Sequence, residues 1–370
     1  FRFLFLMQFK TNQGGKGMYT RIVKPGMIFI VVVMLGLIIF QNDLKAETYK
    51  WRMATSWPAG IPVYTDMAEA FANQVEAMSD GRMKIKVLPG GTVAPPLETT
   101  NAVKKGIVEM GHTWPGYDIG RNPATAMLGG YAGSMESVGM MHWLYAGGGQ
   151  DLWQQFRLEE FGVMTFVCGI RPPEAFAHSH KPVKTLEDFK GFKMRTVGAW
   201  AQILPKLGGS VISLPTAEVY QALERKIIDG TELASPGENI IMGYHEVAKY
   251  VVVPGAHQPT APFELAINKD KWEALPEDLK SIIRQAAIET TFMSWIAIGK
   301  LDIKALETFR KNGNEIIFLD PAVQKQIHQL GKEWAQELAA NNEWFKKIFD
   351  SQEAFQKQWK PVGNIRYLDN

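Results

Sequence analysis

A single cysteine, Cys168, stands among 370 residues. No internal disulfide can brace the chain, so stability must come from a packed core. The setting of that cysteine, MTFVCGI, is apolar and suits a buried thiol rather than a nucleophile. Catalytic signatures are missing too: no G-x-S-x-G elbow, no P-loop, and no G-x-G-x-x-G after a strand. His245 opens the first half of a zinc-type H-E-x-x-H motif, but Lys249 stands where the second imidazole belongs, and an ammonium cannot ligate zinc. The seven histidines fall at no ligand spacing, and His178 and His180 in the polar HSHK read as a solvated pair. Nothing positive marks an enzyme. A membrane-length apolar run is also absent: the longest, Met27 to Phe40, has 14 residues where a span needs roughly 20. Nor is there an excess of one charge. Residues 47–370 hold 34 basic and 37 acidic side chains, so no basic surface for nucleic acid is implied.

What is present fits a globular chain of two lobes: 46% hydrophobic, 21% charged and 11% aromatic residues over a length too great for one ordinary core. Residues 1–46 stand apart. Arg21 and Lys24, the short apolar run and Ala46 before a polar start make the pattern of a secretory signal, with an uncleaved N-terminal anchor as the alternative. The patternless Phe1–Gly17 reads as an upstream extension without a fold. The body is expected to be exported to the periplasm.

From residue 47 extended and helical patterns alternate. YKWRMATSW, RMKIKVLPGG and IVEMGHTW read as strands, and the segment after Ile61 has helical spacing at Val63, Met67, Phe71 and Val75. This β-α-β rhythm predicts a largely parallel sheet covered by helices, and a second such block follows from about residue 163. Beyond Pro276 the pattern is helical for more than thirty residues, up to Gly313, which spans roughly 45 Å or more and so bridges both lobes or packs on a partner chain. The final helices carry Trp334, Trp344, Phe345, Phe349, Phe355 and Trp359, an aromatic face for the core or for a homodimer contact. The expected organisation is residues 1–46 as extension and signal, 47–170 with about 257–300 as the first lobe, 171–256 with about 301–330 as the second, and 331–370 as C-terminal helices.

Arg195 ends a short apolar segment directly before a glycine-bearing turn and a helix. A guanidinium there either pairs with a neighbouring carboxylate or awaits one from outside. The runs around it, TLEDFKGFKMRTVG, GGSVISLPTAEVYQALERKIIDGTE and YHEVAKYVVVPGAHQP, closely resemble the solute receptors of tripartite ATP-independent periplasmic (TRAP) transporters, in the branch that binds 2-oxo and 2-hydroxy monocarboxylates. The resemblance covers Glu47 to about Leu330. It implies an α/β periplasmic binding protein of two lobes, with a ligand cleft between them and a long helix across both. It also implies a non-enzymatic role: capture of a small organic acid such as pyruvate or lactate, with a bound cation, Na⁺ or Ca²⁺, for delivery to membrane permease subunits.

By the same resemblance Arg195 reads the ligand carboxylate. Glu232, the backbone carbonyl of Leu233, Gln258 and, on a looser alignment, Glu174 face the cation, although Leu233 stands where that branch often has Trp. Glu232 could alternatively cap backbone N–H groups. Arg171 is either a second anion contact or a solvated loop charge. Trp57, Trp114, Tyr117, Phe176 and Trp200 are candidates for an apolar wall, each of them also at home in a core. One buried carboxylate would suit Na⁺, two Ca²⁺. Rival readings are a receptor that presents its ligand to a sensor, a receptor for a dicarboxylate or sugar acid, and a metal-dependent lyase, which would need a base near pKa 7 or a reactive nucleophile.

Overall fold

The computed structural model describes residues 47–366. The signal and the extension expected over residues 1–46 lie outside them, and no helix among the described residues is long and apolar enough to cross a membrane.

Strand β1 (Tyr49–Thr55) buries Trp51 and Met53 and exposes Lys50 and Arg52, as alternation requires. A helix follows whose first turns are π-helical (Val63–Glu69) before it becomes regular (Ala70–Met78). Val63, Met67, Phe71 and Val75, four residues apart, form its buried face. β2 (Met83–Leu88) and β3 (Met110–Thr113) pair parallel to β1 on either side. After two helices (Ser137–Ala146, Gly149–Phe161), β4 (Val163–Arg171) leads the chain away.

The second sheet takes β5 (Ala177–Ser179), β6 (Lys193–Arg195), β7 (Ser210–Ile212), β8 (Gly230–Thr231) and β9 (Tyr250–Val253). β10 (Ala261–Asn268) returns to the first sheet and β11 (Glu315–Phe318) completes the second. The orders are β2-β1-β3-β10-β4 and β11-β9-β5-β8-β6-β7. Both sheets are therefore mixed, where the β-α-β rhythm predicted largely parallel ones. β10 runs antiparallel to β3 and β4, and β5 antiparallel to β8 and β9, because these two strands carry the chain back between sheets. Local rhythm does not report such returns.

The third passage between sheets is helical. The helix expected to run to Gly313 is 26 residues long, Glu277–Asp302, about 39 Å at 1.5 Å per residue. It ends at Ile303 and Lys304, before a separate helix, Ala305–Lys311. No glycine or proline marks this break. The helix end is docked instead: Asp302 Oδ1 accepts the Gly237 N–H at 2.7 Å, at the start of the helix Pro236–Ile241 of the second half. Nearer its middle, Thr291 Oγ1 accepts the Gly169 N–H of β4 at 2.9 Å. The helix thus bridges the two sheets.

The C-terminal helices, Pro321–Ala339 and Glu343–Arg366, fold back on the chain. Trp334, Phe345 and Phe349 are buried in the largest apolar cluster, and Trp334 Nε1 donates to Gln202 Oε1 at 3.1 Å. Most of that aromatic face is spent inside the chain. Cys168 is buried in β4, as expected, and burial pushes its thiol up. His178 departs from expectation: it is buried on β5 with neither ring nitrogen hydrogen-bonded, while His180 bonds the Leu223 carbonyl.

Candidate functional site

Strand ends from both sheets and the two non-helical crossings, residues 172–176 and the turn-bearing 254–260, meet at a cleft with about 590 Å³ of atom-free space, counting its opening to solvent. The crossings touch directly. The Glu174 N–H donates to the Gln258 carbonyl at 3.3 Å, and a Cβ on Gly255 would stand 2.8 Å from the Glu174 carbonyl carbon, so only glycine lets the two strands of backbone approach. Glu174 and Gln258 are thereby held side by side, although 84 positions separate them in the chain.

Arg195, the last residue of β6, is 1% exposed and lines the cleft. Its Nε and Nη2 donate to the Leu214 carbonyl at 3.1 and 2.8 Å, and Nη1 donates to the Glu232 carbonyl at 3.1 Å. The Glu232 carboxylate is looser, 3.6 Å away. Three of the five guanidinium N–H groups are thus fixed by backbone, which aims the fork and leaves two for a guest. Arg171 has less reserve, with four of its five N–H groups engaged. Glu238 grips it from both sides at 2.6 and 3.0 Å, and Nη1 is shared by Glu174 at 3.2 Å and the Leu233 carbonyl at 3.1 Å. Arg171 is not a solvated loop charge. It is a buried structural pair whose partner, Glu238, is itself set by a capping box with Ser235 at the helix start.

Three groups then converge: one carboxylate oxygen each from Glu174 and Glu232 and one ring nitrogen of His257, all within 4.8 Å of one another. Burial, opposed by the Arg171 charge, pushes the Glu174 carboxyl up to about 7, and burial together with the neighbouring Glu174 charge does the same for Glu232. His257 is held down at about 4 by burial and is neutral near pH 7. Neither of its nitrogens has a hydrogen-bond partner. Two carboxyls that resist ionisation beside an unpartnered, neutral imidazole fit a bound cation, which would relieve both strains. Glu232 also realises part of its capping alternative, since Oε1 accepts the Val197 N–H at 3.3 Å before the helix Gly198–Ile203. The Leu233 carbonyl keeps one lone pair beyond the Arg171 bond. Gln258 Nε2 is taken by the Gly129 and Thr260 carbonyls at 2.7 and 2.6 Å, so its amide oxygen remains the acceptor.

The aromatic wall comes mostly from the first sheet. Trp57, Trp114 and Tyr117 line the cleft, as does Trp200 from the second. Phe176 does not; it lies behind His257, its ring edge-on at 5.0 Å. Trp57 is pinned by His112: burial lowers that imidazole to about 4, Nε2–H donates to the Cys168 carbonyl, and Nδ1 accepts the Trp57 N–H at 2.8 Å. Trp114 closes onto the opposite side, where Gly198 has φ +64 and a Cβ would collide with the indole. Sequence reasoning missed His257, Glu238 and His112. His257 adjoins Gln258, and that adjacency was the only signal available; Glu238 lies 67 positions from the arginine it pairs.

A two-lobed α/β molecule with a buried, partly unsatisfied arginine and a carboxylate cluster in its interlobe cleft has the architecture of a solute receptor. Residues 53–342 match the family described as bacterial extracellular solute-binding protein, family 7, and the chain belongs to it. This is the family of TRAP transporter solute receptors, which act outside the cytoplasm with membrane permease subunits and are not enzymes. A Nostoc sp. (strain PCC 7120) protein named monocarboxylate 2-oxoacid-binding periplasmic protein is 30% identical over 86% of this chain and 88% of its own length. A TRAP receptor structure from Pseudoalteromonas atlantica with bound sodium and pyruvate superposes with a TM-score of 0.81 at 28% identity, over 86% of this chain and 97% of that one. One from Colwellia psychrerythraea with bound calcium and pyruvate does so with 0.81 at 27%, over 86% and 98%.

Proposed function

We propose that this receptor captures a small 2-oxo or 2-hydroxy carboxylate together with a divalent cation in the periplasm, after export directed by residues 1–46. The supporting observation is the charge of the cleft. With all three carboxylates ionised, as a bound cation would leave them, Arg171 and Arg195 face Glu174, Glu232 and Glu238 there, a net −1 with His257 neutral. An arriving carboxylate makes it −2, which Ca²⁺ cancels and Na⁺ does not. Glu174, Glu232, the Leu233 carbonyl and Gln258 would hold the ion. Once bound, it supplies positive charge that the acid's carboxylate and 2-oxygen can share, which favours such acids over plain fatty acids. Arg195 binds and orients the carboxylate, and the tryptophans exclude water. Pyruvate bound with a cation, calcium in the Colwellia receptor and sodium in the Pseudoalteromonas one, supports the pairing of acid and ion, and the choice of Ca²⁺ rests on the charge count. We further propose that the hinge lies at the three crossings, so that Glu174, His257 and Gln258 sit on the moving joint and occupancy is coupled to closure.

A thermal-shift panel of pyruvate, lactate, succinate and propionate, each with Ca²⁺, Na⁺ or chelator, tests the assignment. A micromolar ligand at millimolar concentration stabilises by about 4 kcal/mol. Selective shifts with the 2-oxo or 2-hydroxy acids in Ca²⁺ are expected; equal shifts with propionate would sink the chelation argument.

Acidity gives a second check. Below pH about 7 protons occupy Glu174 and Glu232, so Ca²⁺ affinity should rise between pH 5.5 and 8. Cation-free protein should behave oppositely. Its folded carboxyls hold protons that the unfolded chain releases near 4.5, so stability is full below that value and falls as pH climbs toward 7. Unfolding midpoints with and without Ca²⁺ should diverge with rising pH, and parallel curves would remove the cation from the cluster.

Closure has its own test. Gly198→Ala puts a methyl group into the Trp114 ring at a left-handed backbone position. Ligand affinity by calorimetry should drop about tenfold with a smaller change in stability, because the open form does not need that contact. Unchanged affinity would show that the two sides need not meet there.

A further inference from the structure

The tryptophans in and around the cleft satisfy their N–H groups, with one exception. Trp57 donates to His112 at 2.8 Å, Trp114 to the Gly129 carbonyl at 3.0 Å, and Trp153 to Glu264 at 2.8 Å. Trp200 is 2% exposed and lines the cleft, yet its Nε1 is, among the described residues, the only buried tryptophan nitrogen without a partner. An indole nitrogen can only donate, and burying it without an acceptor costs stability unless something returns the bond. Its ring is 5.7 Å from that of His257, one of the three cluster groups, and packs on Phe189 at 5.9 Å, so it lines the cleft beside the carboxylate cluster.

We infer that the Trp200 N–H donates to an oxygen of the bound acid, which makes Trp200 a specificity-determining donor rather than part of an apolar wall. The inference rests on the acid-binding reading above. A guest oxygen is the acceptor that this chain withholds, and an apolar guest of the same shape would leave the N–H stranded. Discrimination against guests that lack an acceptor then follows from the protein's own unmet group.

The test is to titrate pyruvate in Ca²⁺ into the wild type and Trp200→Phe by calorimetry, and to follow the wild-type indole ¹H–¹⁵N resonances. The variant should bind pyruvate about tenfold more weakly. The resonance missing from the variant should be the one that moves downfield and exchanges more slowly in the wild type when pyruvate is added. Trp200→Tyr serves for that assignment if the Phe variant does not fold. Equal pyruvate affinity in the two proteins, or an indole resonance indifferent to pyruvate, overturns the inference and leaves the acid-binding reading standing. A wild type that binds no 2-oxo acid removes both.

Discussion

Arg195→Ala is expected to weaken binding of every acid at least about a hundredfold, to the point that thermal shifts vanish at millimolar ligand. The size follows from what remains: a guest carboxylate would enter a cleft holding Glu174, Glu232 and Glu238 with only Arg171 to answer them, and Arg171 is already gripped by Glu238. Arg195→Lys should recover part of the loss, because it restores the charge but neither the fork nor the Leu214 carbonyl bonds that aim it. Calorimetry on the three proteins decides. Full affinity in the alanine variant would mean that the guest is held elsewhere.

The second large effect concerns the cluster. Glu232→Gln should lower Ca²⁺ affinity by about two orders of magnitude and acid affinity with it, since the amide keeps the shape and the Val197 contact but removes the charge. By the same count Glu174→Gln, like Glu232→Gln, should shift preference toward Na⁺, because one remaining carboxylate matches a monovalent ion. Acid titrations in Ca²⁺, Na⁺ and chelator would show the change. A Glu232 variant indifferent to chelator and still binding tightly would exclude a cation from this position.

The pieces legible in the sequence were those fixed by short-range pattern. Arg195 at a strand end and the bridging helix follow from local periodicity, whereas Glu232 was reached only through the family resemblance of its motif. Antiparallel β10 and β5 were not legible, because a strand's partners lie far along the chain and the alternation within it is the same in either direction. The helix break at Ile303 was hidden for a related reason: it is made by docking Asp302 on the Gly237 amide, not by a breaking residue. Among the site residues, Arg171 illustrates the limit. Its charge was visible, but its spare capacity depends on Glu238, and that pairing is a tertiary fact. His257 was hidden because metal-like spacing is a property of single helices and hairpins, whereas here each of three separate segments contributes one group.

The seclusion of Cys168 has a practical consequence. With its sulfur inside a sheet and reluctant to ionise, the receptor is silent toward maleimide dyes. A pair of engineered surface thiols, one beside β2 and one beside β7, would take donor and acceptor fluorophores without background labelling. Single-molecule energy transfer could then report each opening and shutting of the molecule as cation and acid come and go.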